Sequence, residues 1–435
     1  MSGGPENTEH AKRPKLTLEQ RKEVSSLNPF RNDPTFVAEV QEARKAKSPR
    51  HHEVFQSTFE CTDEKKRYRL LWFAWELNPH HHKTLAKIAD AELKQKNLQP
   101  AIKILKACTV LEPENAINYT QIAACLVSLK EFADALKNAE HAVRLAPRDA
   151  RTHCIVGRVY KEMHSDAQAV ASFETAIRID PTNILTLQEL SIVLARMRRN
   201  TEALSVVQAL LKLKPTDRTG LRTHIMLSVV FKNSAEALKL IQRYESLHPE
   251  SERVLSSKAH ALFYERRYLE AAAIVEKILK TYSDNIRYLT IAGASYVWAG
   301  KSDVALRYLA HPALNQSEHG LWLRSKALAQ VGRREDALTA LISLIQVSGK
   351  PKLSYLAALF SLAPEGHPKH VAIQTLLRDP ILYAQAVDAS RRFNWEQGDT
   401  EADIEFSKSV ANSFNQLTYD RPVNKVAVRV TKGTH

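Results

Sequence analysis

The sequence predicts an all-α fold in which one pair of helices is stacked many times along the chain. Three observations support this fold class. Proline recurs every 34 residues, alanine recurs in phase with it, and glycine is scarce, with 12 among 435 residues. A fixed period of this length indicates one supersecondary unit repeated as a solenoid, and few glycines favour helix. The two series are Pro79, Pro113, Pro147, Pro181, Pro215 and Pro249, and Ala101, Ala135, Ala169, Ala203, Ala237, Ala271 and Ala305.

The clearest copy of the unit covers residues 150–183. Two apolar stripes at helical spacing lie on either side of a polar break at Ser165 and Asp166, and they predict helices over about 151–163 and 167–179. The second helix ends before Pro181, because proline has no backbone N–H and its ring clashes with the preceding turn. Gly157 occupies a small-residue position that should let the paired helices approach closely beside Phe173.

This pattern resembles the tetratricopeptide repeat (TPR) superfamily over about residues 48–349. The resemblance implies a TPR-type α-α solenoid that forms a right-handed superhelix. It also implies that the first helix of each repeat lines a concave groove, where extended peptides or partner helices bind. A terminal repeat leaves an apolar face open, so C-terminal helices are expected to cap the array.

Two departures from the repeat are informative. Ile225 stands where the other repeats carry a small residue, and Ala337 follows Ala305 after 32 residues rather than 34. Pro312 should also cut the second helix of its repeat short. An irregular junction is therefore predicted near residues 310–319, where the solenoid is expected to bend or change twist.

The predicted domains are a disordered basic leader at 1–47, a solenoid at 48–349, capping helices at 350–417 and a disordered tail at 418–435. The solenoid would comprise a degenerate first repeat and about seven more. A short helix is expected across 18–24, and helices are expected across 371–393 and 403–417. The last either caps the array or docks on a partner or on a second copy of the chain. Within the leader, Lys12, Arg13 and Lys15 fit a nuclear import signal, although a solvated run of charge accounts for them equally well.

No catalytic or cofactor motif is recognisable, which predicts a protein that is not an enzyme and that uses no cofactor. His80, His81 and His82 are adjacent in a turn, so they cannot all face one ion, and no metal site is expected. No apolar run approaches the length of a membrane span. The four cysteines show no paired spacing, which favours a reduced compartment, the nucleus or the cytoplasm or both.

The predicted function is therefore a scaffold or adaptor subunit that binds a protein partner through an extended or helical segment, an acidic one being expected if the groove is basic. The alternative is an RNA-binding or RNA-processing protein. The net charge of +14 supports it, whereas the aromatic-poor middle repeats do not. The sequence leaves the oligomeric state open. The candidate groove residues are Arg151, Arg158, Lys161, Gln188, Arg196, Arg222, Arg253 and His260.

Overall fold

The computed structural model describes residues 14–48, 50–249, 254–348, 352–364, 366–371, 373, 380–391, 393 and 395. Within these ranges the regular elements are α-helices and one short 3-10 turn, Pro312–Leu314. The α-helices are α1 Leu18–Ser26, α2 Pro34–Ala46, α3 His51–Glu60, α4 Glu64–Leu77, α5 His82–Lys94, α6 Leu98–Leu111, α7 Ala116–Leu129, α8 Phe132–Leu145, α9 Ala150–Glu162, α10 Asp166–Ile179, α11 Ile184–Arg196, α12 Asn200–Leu213, α13 Arg218–Val230, α14 Ser234–Leu247, α15 Leu255–Tyr264, α16 Tyr268–Leu279, α17 Ile286–Trp298, α18 Ser302–Leu309, α19 Glu318–Gln330, α20 Arg334–Ser348, α21 Leu353–Leu362 and α22 Pro380–Arg391.

The helices cluster into two compact units, an N-terminal unit that ends at Val193 and a C-terminal unit that begins at Leu194. In the N-terminal unit, α3 packs on α4, α5 on α6, α7 on α8 and α9 on α10. In the C-terminal unit, the pairs run from α13 and α14 to α21 and α22. Helices α9 and α10 begin and end within one residue of their predicted bounds. The all-α, TPR-type solenoid fold class is confirmed.

Small residues in the first helices do let the paired helices approach closely. A Cβ atom added to Gly157 would lie 2.6 Å from the ring of Phe173 in α10, so no side chain fits there. Gly293 in α17 is filled in the same way by Leu309 of α18. Ile225, the exception, is fully buried in one cluster with Ile241 and Tyr244 of α14.

From α5 and α6 to α19 and α20, each helix pair turns through one residue in the left-handed region. These residues recur with the repeat, and most of them are not glycine. A left-handed conformation is costly for a residue that has a Cβ atom. It is maintained here by the same tight turn in every pair. The residues are Lys96, Lys130, His164, Arg198, Lys232, Arg266, Gly300 and Gly332.

The prediction of a disordered leader at 1–47 is wrong for the part that the structure describes. Helix α1 contacts α6, and α2 contacts α4 and buries Phe36 and Val40. Pro34, which suggested disorder, is instead the first residue of α2, directly after the N-cap Asp33. Residues 1–13, and with them Lys12 and Arg13, lie outside the described residues, whereas Lys15 is exposed.

The irregular junction predicted near residues 310–319 is present between α18 and α19. Helix α18 is only 8 residues long, compared with 14 in α10, and the turn Pro312–Leu314 follows it. Helix α22 occupies part of the helix predicted at 371–393. The helix predicted at 403–417 and the tail at 418–435 lie outside the described residues.

Candidate partner-binding surface

Each helix pair has a first and a second helix in chain order. The first helices of one unit, taken together, are called here the first-helix surface of that unit. In the N-terminal unit it carries four of the predicted groove residues, on α9 and on the part of α11 that belongs to this unit. The structure brings two of them, Arg158 and Lys161, around one carboxylate, that of Glu189 in α11.

Glu189 lies between the two cations. Lys161 Nζ is 2.7 Å from Glu189 Oε2, and Arg158 Nε is 3.5 Å from Glu189 Oε1. The side chain of Glu189 is 13% exposed and that of Lys161 is 15% exposed, so water screens this group weakly. The mostly buried carboxylate of Glu189 therefore neutralises part of the charge of the predicted groove residues Arg158 and Lys161.

Sequence reasoning missed Glu189 because it treated each repeat alone. Arg158 and Glu189 are 31 residues apart, one repeat less about one helical turn. Asp90 and Gln121 have the same separation and are hydrogen-bonded across α5 and α7, with Gln121 Nε2 donating to Asp90 Oδ1 at 3.2 Å. This spacing is the signal that would have found the pair.

The other two predicted residues of the N-terminal unit have different surroundings. Arg151 bonds the carboxylate of Asp149, the N-cap residue of α9, with Nε 3.0 Å from both oxygens. This contact lowers the pKa of Asp149 and raises that of Arg151. Gln188 is half-buried on α11. Arg151 is thus committed to its own helix N-terminus rather than directed across the surface.

In the C-terminal unit the predicted residues do not form one charged group. Arg196 and Arg222 are half-buried, and Arg253 lies outside the described residues. His260 is only 1% exposed, with Nδ1 2.7 Å from the Ser256 carbonyl oxygen. Burial lowers the pKa of His260 to about 4, so it is neutral at pH 7. The placement of His260 in a partner-binding groove is wrong, because α15 directs it into the core.

Aromatic residues are more prominent on the first-helix surface of the C-terminal unit. Phe263 and Trp298 are in edge-to-face contact, with ring centroids 5.5 Å apart. Lys326 Nζ lies 5.5 Å from the centroid of the Trp298 ring, in the range of a cation–π interaction. Phe263 and Lys326 are buried and Trp298 is half-buried, so this aromatic group belongs mainly to the packing of the C-terminal unit.

A recess opens between α3, α4 and α5 of the N-terminal unit. Its volume is about 540 Å³, and it is called here the α5 recess. Phe59, which is 59% exposed, stands beside an apolar floor that includes Leu71 and Ala91. Lys87 and Lys94 line it from positions two helical turns apart on α5. Its remaining lining residues are Thr58, Glu64, Arg67, Tyr68, Asp90 and Gln95.

Two of the histidines near α5 share one hydroxyl group, whereas a third has a partner of its own. His51 Nε2 and His81 Nδ1 lie 3.1 Å and 2.7 Å from Thr84 Oγ1, whereas His80 Nδ1 accepts a hydrogen bond from the backbone N–H of Leu16. Among the described residues, no group of three or more His, Cys, Asp or Glu side chains is arranged to hold a metal ion. No described helix has the length and apolar character needed to cross a membrane.

Stacked helix pairs with short turns, small-residue contacts and a layer of first helices define a helical-repeat protein of the α-α solenoid class. The tetratricopeptide repeat family model matches residues 150–183, the pair α9 and α10. The pair α9 and α10 is thus a tetratricopeptide repeat, and it lies within an all-α array of similar helix pairs.

Solved structures that resemble the chain include three bacterial proteins. A tetratricopeptide repeat protein from Parabacteroides merdae is 16% identical, with a TM-score of 0.39 over 64% of this chain and 97% of that one. PilF of Pseudomonas aeruginosa is 18% identical, with a TM-score of 0.38 over 53% and 95%. A thermophilic TPR protein of Thermus thermophilus is 15% identical, with a TM-score of 0.37 over 42% and 99%. No curated protein sequence matches the chain.

Proposed function

We propose that this protein is a non-enzymatic scaffold of the nucleus or cytoplasm, or of both, that binds a segment of a protein partner on its first-helix surface. A repeat array offers an extended surface in which each repeat contributes a few contacts, which suits the capture of a peptide segment. The observation that carries the proposal is the α5 recess, where an exposed aromatic ring and two lysines border an apolar floor.

The lining of the α5 recess indicates what kind of segment would bind. An apolar side chain would cover the exposed ring of Phe59 and the half-buried Ala91, and removal of apolar surface from water is the main source of affinity at such sites. Lys87 and Lys94 would attract a carboxylate beside that anchor and would speed association. The proposed ligand is thus a segment with an apolar anchor and a neighbouring acidic residue.

Purification of the full chain from its native cells after mild crosslinking tests the proposal. The double variant Lys87→Glu, Lys94→Glu should lose a partner that the wild type retains, because it reverses the charge of the recess. The double variant Lys65→Glu, Lys66→Glu is the matched control, since these lysines are exposed on α4 and do not line the recess. A wild-type chain that elutes as a free monomer with no partner would contradict the proposal.

RNA binding stays the second candidate, because the net charge of +14 favours polyanions. The commitment of Arg158 and Lys161 to Glu189 weighs against it at the centre of the N-terminal surface. Titration of single-stranded RNA at two salt concentrations decides between the candidates. RNA binding on this surface should weaken steeply with salt and should be lost on Arg158→Glu, Arg196→Glu, Arg222→Glu. The protein-scaffold proposal expects weak binding that this triple variant leaves unchanged.

A further inference from the structure

The chain of the C-terminal unit places two of its own aromatic residues on its first-helix surface. Phe393 and Trp395 follow α22 and lie against Trp322 of α19. The Trp395 ring is stacked on that of Trp322 with centroids 6.3 Å apart, and the Phe393 ring meets it edge-on at 6.4 Å. Tyr355 of α21 packs beside Trp322 at 5.3 Å. These four residues are called here the C-terminal aromatic cluster.

Two hydrogen bonds fix Trp395 in this position. Its indole Nε1 donates to Ser361 Oγ of α21 at 3.1 Å, and its backbone carbonyl accepts from Gln330 Nε2 of α19 at 3.1 Å. Side chains of two first helices therefore recognise one ring and one backbone group of a following segment. This combination of an aromatic anchor with backbone hydrogen bonding is the form in which surfaces commonly bind peptides.

The segment lies on the layer where the proposed function places a partner. Trp322 has in α19 the repeat position that Gln188 has in α11 and Arg222 has in α13, once the 32-residue repeat is allowed for. Gln188 and Arg222 are half-buried, whereas Trp322 is 1% exposed with Phe393 and Trp395 against it. The end of the C-terminal unit is thus covered by the chain itself.

We infer that Phe393 and Trp395 are a built-in occupant of a peptide-binding surface on α19 and α21. This surface takes a partner segment that carries two aromatic side chains spaced by one residue, and that segment must displace Phe393 and Trp395. The inference rests on the proposed function, because it assigns the class of partner to the first-helix surface. It concerns the first-helix surface of the C-terminal unit, whereas the α5 recess belongs to the N-terminal unit.

The covalent link makes the built-in segment a strong competitor. Phe393 follows the last residue of α22 by two positions, so it acts as an intramolecular ligand, for which the effective concentration is on the order of millimolar. A partner in solution then binds with an affinity reduced by the fraction of chains in which the surface is open. Weakening the built-in segment alone should therefore strengthen the binding of the same segment supplied from outside.

A fluorescent peptide with the sequence of residues 390–398 tests the inference by anisotropy titration of the full-length chain. The double variant Phe393→Ala, Trp395→Ala should bind the peptide about tenfold or more tightly than the wild type. Trp395→Phe keeps a ring in the cluster and loses the bond to Ser361, so its affinity should be intermediate. This milder variant decides the matter if circular dichroism shows that the double variant is unfolded.

Two controls make the test specific. Tyr282→Ala removes an exposed aromatic residue outside the cluster and should leave peptide binding at the wild-type level. Ser361→Ala, added to the double variant, should weaken the peptide several-fold, because it removes the acceptor for the indole N–H. Equal affinity of the wild type and both segment variants, or no binding by any of them, would overturn the inference and leave Phe393 and Trp395 as packing residues.

The outcome is separable from that of the proposed function. The lysine variants of the α5 recess do not touch the C-terminal aromatic cluster. If the peptide result is negative while the recess variants lose a partner, only the inference fails. If the peptide binds and the recess variants lose nothing, only the role of the α5 recess fails.

Discussion

The first-helix surfaces of the two units carry different chemistry on the same repeat. In the N-terminal unit, α9 and α11 present Arg158 and Lys161 on either side of Glu189, and the α5 recess is open. In the C-terminal unit, Trp322 of α19 packs against Tyr355 of α21 and against Phe393 and Trp395, which follow α22.

The difference shows how little of the surface is set by the repeat itself. The contact between helices depends on a small residue facing a larger one, as Gly157 faces Phe173 in one unit and Gly293 faces Leu309 in the other. These inward positions keep the pairs alike in both units. The outward positions of the first helices differ between the units, so the two surfaces differ in chemistry.

The largest expected effect follows from the contrast between packing in one unit and ion pairing in the other. Trp322→Ala should lower the free energy of opening of α19 and α21 by about 3–5 kcal/mol, because it removes a buried ring and leaves a cavity. Arg158→Ala should change the opening of α9 by about 1 kcal/mol or less, since its ion pair is partly exposed. Hydrogen exchange of the amides in these helices measures both openings in the full-length chain. Similar protection losses in the two variants would show that the surfaces are not different in this way.

Acid should destabilise the C-terminal unit through His260. Its pKa is about 4 in the folded chain and about 6.5 when unfolded, so the unfolded state binds the proton more readily below pH 6.5. The contribution of neutral His260 to the free energy of unfolding is therefore full above about pH 6.5. It is lost as the pH falls from there to about 4, which amounts to about 3 kcal/mol.

The measurement is the pH dependence of amide protection in α15, compared between the wild type and His260→Asn. The variant is expected to lose most of the slope between pH 6.5 and 4, since asparagine does not titrate. His81→Asn in the N-terminal unit is the matched comparison. Burial also lowers the pKa of His81, but that ring is partly exposed, so its slope should be smaller. An unchanged slope in His260→Asn would assign the acid sensitivity to other groups.

The sequence was sufficient for features that recur and insufficient for features that join distant positions. The proline and alanine series predicted the helix pairs, and Pro312 predicted the short α18. The contact of Glu189 with Arg158 required the register between neighbouring repeats, and the burial of His260 required the packing around α15. The contact of Trp395 with Trp322 joins residues 73 positions apart that share no motif, so no local pattern indicates it.

The N-terminal leader shows a different limit. Its prolines and mixed charges suggested disorder, yet Thr17 and Asp33 are the N-caps of α1 and α2. The few apolar residues of this segment are enough because α4 and α6 supply the other half of its core. Amphipathic helices of this kind gain most of their stability from packing, which composition alone does not reveal.

The smallest expected effect concerns the turns, where the two units also differ. The turns of the N-terminal unit use Lys96, Lys130 and His164 in the left-handed region, whereas the last two in the C-terminal unit use Gly300 and Gly332. Lys130→Gly should stabilise its pair by about 1 kcal/mol, because glycine adopts φ near +65° without strain from a Cβ atom. Gly300→Ala should cost about 1 kcal/mol for the same reason, since a Cβ atom there would meet no neighbour within 4 Å and only the backbone is strained.

Lys106→Gly, in the middle of α6, is the control and should destabilise by about 1 kcal/mol. Urea titration followed by amide protection in α7, α17 and α6 gives the three signs, and a loss of stability in Lys130→Gly would mean that the lysine side chain makes a contribution larger than the strain of its turn.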